Sequence, residues 1–106
     1  MVKQIIRQFH ITSKYKGYSL IIYAIKLYIN MNSEYIKITK DIYPVLAREY
    51  QISIASVERN IRTVIEACWK NDRRAVQDII GYNINKCPSN ADFIEAIAYF
   101  VTNKKD

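Results

Sequence analysis

Apolar residues recur three and four positions apart along most of the chain, which is the spacing of an amphipathic helix rather than of a strand. The clearest pattern starts after Ser53, a candidate N-cap, and continues to about Lys70. Its apolar stripe comprises Ile54, Val57, Ile61, Val64, Ile65 and Cys68. The same spacing predicts helices over residues 2–11, 18–31, 73–80 (stopped by Gly81) and about 90–101, the last after a capping box that opens at Ser89. With one more helix ending near Tyr50, the pattern predicts an all-α domain of six helices.

The segment before Tyr50 leaves two interpretations open, because it contains Pro44. In the first, Thr39 is the N-cap of a helix that kinks at Pro44, since a proline inside a helix loses one hydrogen bond and clashes with the preceding turn. In the second, residues 39–43 are a lead-in, and Pro44 occupies the first position of a shorter helix. The preceding residues, 30–38, are polar enough for a loop, with a short extended piece at 35–38.

The two helices on either side of Gln51 are the most informative feature of the sequence. Two helices joined by a turn of about three residues form a candidate helix-turn-helix, here the third and fourth helices of the domain. Ala47 is small enough to let the helices approach, and Ile52 and Val57 are the apolar residues that the core of the motif needs. Gln51 occupies the place where many such motifs have glycine.

The face of the fourth helix opposite its apolar stripe has two interpretations. It carries Ser56, Arg59, Arg62 and Thr63, with Glu58 beside them. A recognition helix in the major groove needs such residues, because arginine pairs with guanine and glutamate accepts from cytosine. A solvated face with ordinary ion pairs has the same composition. Basic residues that could contact phosphates elsewhere are Lys14, Lys16, Lys40, Lys70, Arg73, Arg74 and Lys86.

Composition and charge narrow the class of protein. The 106 residues carry a formal net charge of +6, which favours a polyanionic partner such as nucleic acid or an anionic membrane surface. This length suits one domain, and two glycines and two prolines are too few for a sandwich or barrel. The longest apolar stretch is too short to cross a bilayer. Cys68 and Cys87 have no CxxC spacing, so we expect two reduced thiols in a cytoplasmic protein.

Groups that could carry catalysis are sparse. His10 is the single histidine, and a lone histidine is more often a surface or core residue than a base. No Ser-His-acid pairing, Gly-rich phosphate loop or metal-ligand spacing occurs in the sequence. We therefore expect no enzyme, no cofactor, no metal, no membrane partner and no small-molecule substrate. The nine tyrosines fit a stacking platform for single-stranded nucleic acid or, more commonly, aromatics of a core and its rim.

A series of short motifs gives the chain a family resemblance. In order they are Lys16-Gly17-Tyr18, Ile38-Thr39-Lys40, Ile42-Tyr43-Pro44, Val57-Glu58-Arg59, Ile65-Glu66-Ala67 and Gly81-Tyr82. Their order and spacing resemble the C-terminal DNA-binding effector domain of the sporulation initiation response regulator, stage zero sporulation protein A. The resemblance implies a six-helix domain, a helix-turn-helix, and binding to short promoter boxes in double-stranded DNA, often by tandem domains that touch through the last helix.

The resemblance also assigns roles to residues. Glu58, Arg59 and Arg62 match residues that contact bases, and Lys40 matches one that contacts the backbone. We add Thr39, Ser56, Thr63, Lys14, Lys16, Arg73 and Arg74 as backbone or secondary contacts. The family usually has Ser and a basic residue where this chain has Ala55-Ser56, and commonly has His where it has Thr63. These departures predict an altered target sequence or a reduced affinity.

The resemblance covers one effector domain over residues 1–106, without the phosphoacceptor receiver that precedes it in the family. The sequence leaves open whether the domain was excised or stands alone. It also leaves open a second function, that of a protein–protein module that pairs with or antagonises a full-length relative without specific DNA binding. Tyr99 and Phe100, near the end of the last helix, are the candidate anchors of that module unless both complete the core.

Overall fold

The computed structural model describes residues 1–31 and 35–103, and all regular structure within these ranges is helical. A π-helical turn, Ile38–Ile42, leads directly into the third helix. The six α-helices of the described ranges are α1 (Val2–Arg7), α2 (Tyr18–Met31), α3 (Tyr43–Tyr50), α4 (Ile54–Asn71), α5 (Arg73–Ile80) and α6 (Asn90–Asn103). The predicted all-α class and the number of helices are confirmed.

Local capping explains where the later helices begin and end. The Ser53 hydroxyl oxygen accepts a hydrogen bond from the Ser56 amide at 3.0 Å, and the Ser89 hydroxyl oxygen accepts one from the Asp92 amide at 3.1 Å. Both caps were predicted. Asp72, which was not, caps α5 by accepting from the Ala75 amide at 3.1 Å. Gly81 ends α5 with a φ of +91°, a conformation that glycine adopts without strain.

The prediction for the first helix was too long. The helix ends at Arg7 rather than Ile11, and His10 has a φ of +65°, outside the helical region. The physical reason is tertiary: the Asn71 amide, at the end of α4, donates to the Phe9 carbonyl at 2.8 Å. Phe9 and Ile11 remain buried, so the turn still contributes to the core.

The segment around Pro44 follows the second interpretation most closely. Pro44 lies in the first turn of α3, where its missing amide hydrogen costs nothing. Thr39 is not an N-cap, which corrects the first interpretation, because it lies inside the π-helical turn. The Asp41 carboxylate instead accepts from the Lys37 amide at 2.8 Å. Within the predicted extended piece, Lys37 has an extended backbone and Ile38 already begins the π-helical turn, while residues 32–34 of the predicted loop lie outside the described residues.

The core is formed where α2, α4 and α6 pack together, with α1 and α3 closing its sides. Its largest fully buried side chains include Tyr43, Phe9, Phe93, Ile6, Ile21, Leu46 and Ile61. The stripe predicted for α4 is buried from Val57 to Cys68, but Ile54 is 44% exposed, which corrects its assignment to the core. Ile54 is the first residue of α4, directly after the turn.

The turn between α3 and α4 carries local backbone strain at Gln51, whose φ of +56° and ψ of +45° are left-handed. Side chains with a Cβ disfavour this conformation by about 1–2 kcal/mol. We expect Gln51→Gly to raise the free energy of unfolding by about 1 kcal/mol, measured as the midpoint of urea denaturation. As a control, Glu49→Gly in the last turn of α3 should lower it by about the same amount. A lower midpoint for Gln51→Gly would contradict the prediction.

Candidate nucleic-acid interface

The helices α3 and α4 meet across a tight three-residue connection, Gln51 to Ser53. The Ile52 amide donates to the Ala47 carbonyl at 3.0 Å, which closes the end of α3. Leu46 on α3 and Val57 and Ile61 on α4 are fully buried where the two helices pack. The arrangement is compatible with the predicted helix-turn-helix, and it holds the outer face of α4 toward solvent.

The outer face of α4 brings together the residues for which base contacts were predicted. Glu58 and Arg59 are exposed, and Arg62 lies one turn further along the helix. The Arg62 side chain is partly exposed, with its Nε 3.8 Å from the carboxylate of Glu66. Such a partly exposed pair is weak, so Arg62 can leave Glu66 for another acceptor at little cost.

The two hydroxyl groups on this face differ in what they can donate. The Thr63 hydroxyl donates to the Arg59 carbonyl at 3.0 Å, so its hydrogen is used within the helix. The Ser56 hydroxyl oxygen accepts from the Ser53 hydroxyl at 3.0 Å and keeps its own hydrogen for an outside acceptor. Since phosphate oxygens only accept, Ser56 is the better phosphate ligand of the two.

Behind Glu58, a buried amide that the sequence analysis missed connects three helices. The side-chain nitrogen of Asn90, at the start of α6, donates to the Tyr43 hydroxyl at 3.0 Å and to the Glu58 backbone carbonyl at 3.1 Å. Asn90 is only 7% exposed, and burial raises the pKa of the Tyr43 hydroxyl, so this phenol stays neutral. The network holds the N-terminal ends of α3 and α6 against α4 next to its outer face. The one sequence signal was an asparagine within the Ser89–Asp92 capping box.

The predicted backbone contacts lie at different distances from this face. Thr39 and Lys40 are exposed in the π-helical turn, and Thr39 borders a cavity of about 270 Å³ together with Glu58 and Arg62. Lys14 and Lys16 are exposed in the connection before Gly17, which packs on α4. Arg73 and Arg74 are exposed at the far end of α4, where the Arg73 guanidinium lies 4.7 Å from the centre of the Trp69 ring. They are not brought together with Arg59, since the ten helical steps from Arg59 to Trp69 span about 15 Å.

The described part of the chain does not favour a metal site, a reactive cysteine or a membrane-spanning helix. No group of three histidine, cysteine or acidic side chains there is placed to hold a metal ion. Burial raises the pKa of the Cys68 thiol to about 12 and also raises that of Cys87, so neither is a ready nucleophile. Within residues 1–31 and 35–103, no helix combines the length and the apolar character needed to cross a membrane.

Comparison with protein families agrees with this geometry. The family described as "Sporulation initiation factor Spo0A C terminal" matches residues 2–101, which is nearly the whole chain. Its members are DNA-binding regulatory domains that act in sporulation, and the family is not a class of enzymes. The matched segment includes all six helices apart from the last two residues of α6. The chain therefore belongs to the family of Spo0A C-terminal, DNA-binding effector domains.

Proposed function

We propose that this domain binds promoter boxes in double-stranded DNA sequence-specifically and regulates transcription, with α4 in the major groove. The observation that carries the proposal is the outer face of α4, where Glu58, Arg59 and Arg62 are presented together. Arginine can donate two hydrogen bonds to guanine, and glutamate can accept one from the cytosine amine. These three residues are the proposed base contacts.

The proposed backbone contacts are the polar groups around that face. Thr39 borders the same cavity as Glu58 and Arg62, and Lys40 is exposed next to it in the π-helical turn. Ser56 lies at the start of α4 with a hydroxyl hydrogen to donate. Lys14 and Lys16 precede Gly17 on the other side. Thr63 could donate to a phosphate only after releasing the Arg59 carbonyl. Arg73 and Arg74 would contact only DNA that extends beyond the end of α4.

The test is a fluorescence anisotropy titration at near-physiological salt. One duplex carries the type of box bound by the family, and a second duplex of equal length has the same bases scrambled. We expect binding to the box to be tighter by about 10³-fold or more. Equal binding to both duplexes would mean that binding is only electrostatic or that this domain recognises a different box. Selection from random DNA would identify such a box. Binding to neither would favour the protein–protein function.

A backbone contact at Lys40 makes a separate prediction. Lys40→Ala should weaken binding to the box and to the scrambled duplex alike, by about five-fold at 0.15 M salt, because one fewer counterion is released. The slope of log K against log salt should become shallower by about one unit. Lys26→Ala, an equal loss of charge on α2, is the control and should change neither. A changed base preference with an unchanged slope would contradict this role.

The protein–protein alternative has one observation in its favour. Tyr99 on α6 is 69% exposed and borders a small cleft with Ile79, Tyr82 and Ala96. Phe100, the other predicted anchor, instead packs against the core. The same exposed face of α6 is where a tandem homodimer on DNA would meet. The protein–protein function would replace DNA binding if two results are found together. The domain would bind neither duplex, and it would self-associate in a way that Tyr99→Ala abolishes.

A further inference from the structure

Two loops border α4, one on each side of its outer face. On one side, Gly17 is buried against the Asn60 backbone and the Val64 side chain, which places the loop before α2 there. On the opposite side, Arg62 and the loop of residues 81–89 between α5 and α6 border one groove. Because Asn60 and Arg62 are two positions apart on a helix, they point to different sides, with Arg59 in the middle of the outer face and Arg62 at its edge.

The groove beside Arg62 has a volume of about 710 Å³. Its polar lining includes Arg62, Asn83, Asn85, Lys86, Ser89 and Asp92. Two cations, two amides and a hydroxyl can all donate to an anion, while Asp92 is the one acidic group among the lining residues. Lys86 and Asn85 are exposed at the edge of this groove.

The walls of the groove are held in place relative to α4. The Gln77 side chain on α5 donates to the Ile84 carbonyl at 3.0 Å, which anchors the middle of the loop. Pro88 at the end of the loop is buried. Asn90, directly after it, donates to the Glu58 carbonyl of α4. The loop therefore has a defined position beside the proposed recognition face.

We propose that the loop of residues 81–89 contacts the DNA strand that borders the Arg62 side of α4, with Lys86 binding one of its phosphates. This inference rests on the proposed function. A helix in the major groove, which is about 12 Å wide, has one sugar–phosphate backbone on each side. The loop that carries Lys14 and Lys16 would meet one strand, and the loop that carries Lys86 would meet the other. The chain would then hold both strands around α4, and the negative charge of Asp92 in the same groove would oppose phosphate binding.

The test compares Lys86→Ala with Lys86→Arg and with the remote charge control Lys26→Ala. Lys86→Ala should lower affinity for the box and the scrambled duplex by about five-fold at 0.15 M salt and make the salt slope shallower by about 0.9. Lys86→Arg should restore both values, and Lys26→Ala should match the wild type. Circular dichroism at the assay temperature confirms that each variant is folded.

Phosphate ethylation interference identifies the contact directly. One phosphate on one strand should interfere with the wild type when ethylated and should no longer do so with Lys86→Ala. If Lys86→Ala keeps the wild-type affinity and salt slope, the inference is overturned. If Arg59→Ala still loses its preference for the box in the same assay, the proposed function stands. Weaker binding with an unchanged ethylation pattern would also overturn it. Absence of binding by the wild type to either duplex would overturn both proposals.

Discussion

Gly17→Ala should lower the free energy of unfolding by about 3 kcal/mol, at the upper end of the usual cost of overpacking. A Cβ at this position would lie 2.8 Å from a methyl carbon of Val64 and closer still to the Asn60 carbonyl oxygen. That oxygen belongs to the backbone of α4 and cannot move away as a flexible side chain would. The start of α2 would have to move off α4, which opens the core between them. Urea denaturation followed by circular dichroism measures the loss.

The matched control is Gly81→Ala, in the other glycine of the chain. A Cβ there meets no atom within 4 Å, although the φ of +91° is strained for alanine. We expect a loss of only about 1 kcal/mol, from the backbone conformation alone. Equal midpoints of denaturation for the two variants would mean that the packing of α2 on α4 does not require the close approach of Gly17 to the Asn60 backbone.

Arg59→Ala should weaken binding to the specific box by about 2 kcal/mol, or roughly thirty-fold, and relax the preference at one base pair. The reason is the position of Arg59 in the middle of the outer face of α4, where it is exposed beside Glu58. Anisotropy titrations against the box and its single-base variants measure both effects. Binding to the scrambled duplex should fall much less, since only one positive charge is lost.

Two further variants separate base readout from charge. Arg59→Lys keeps the charge but loses the planar pair of donors, so it should retain non-specific binding and lose the base preference. Arg7→Ala removes an equal charge from the last turn of α1 and should leave the preference intact. A wild-type base preference in Arg59→Ala would remove Arg59 from the proposed base contacts.

Local signals were sufficient for the parts of this fold that nearby residues determine. The apolar stripe of α4 from Val57 to Cys68 is buried as its spacing predicts, because a helix that presents one apolar face must cover it. Ser53, Ser89 and Gly81 mark helix ends because each satisfies a requirement of its own turn. The same local pattern identified the outer face of α4, since that face is what remains opposite the stripe.

Contacts between residues that are distant in sequence account for features that the hydrophobic pattern did not predict. The first helix ends early because Asn71, 62 positions away, bonds to the Phe9 carbonyl. Ile54 continues the stripe in sequence but, as the first residue of α4, is exposed. The π-helical turn before α3 is instead a local feature that the pattern did not show: the Tyr43 amide bonds to the Ile38 carbonyl, five positions before it.

The candidate interface likewise has features that the sequence determines and features that only the tertiary structure determines. By itself the sequence determined the number of helices, the caps at Ser53 and Ser89, the positive charge and the placement of Glu58, Arg59 and Arg62 away from the apolar stripe, because these depend on composition and on spacing within one helix. Only the tertiary structure decided that Asn90 is buried beneath Glu58, 32 positions away, and that Gly17 and the loop carrying Lys86 lie on opposite sides of α4. The physical reason is that helical periodicity defines which side of a helix is apolar, whereas the packing of whole helices defines which loops lie beside the other side.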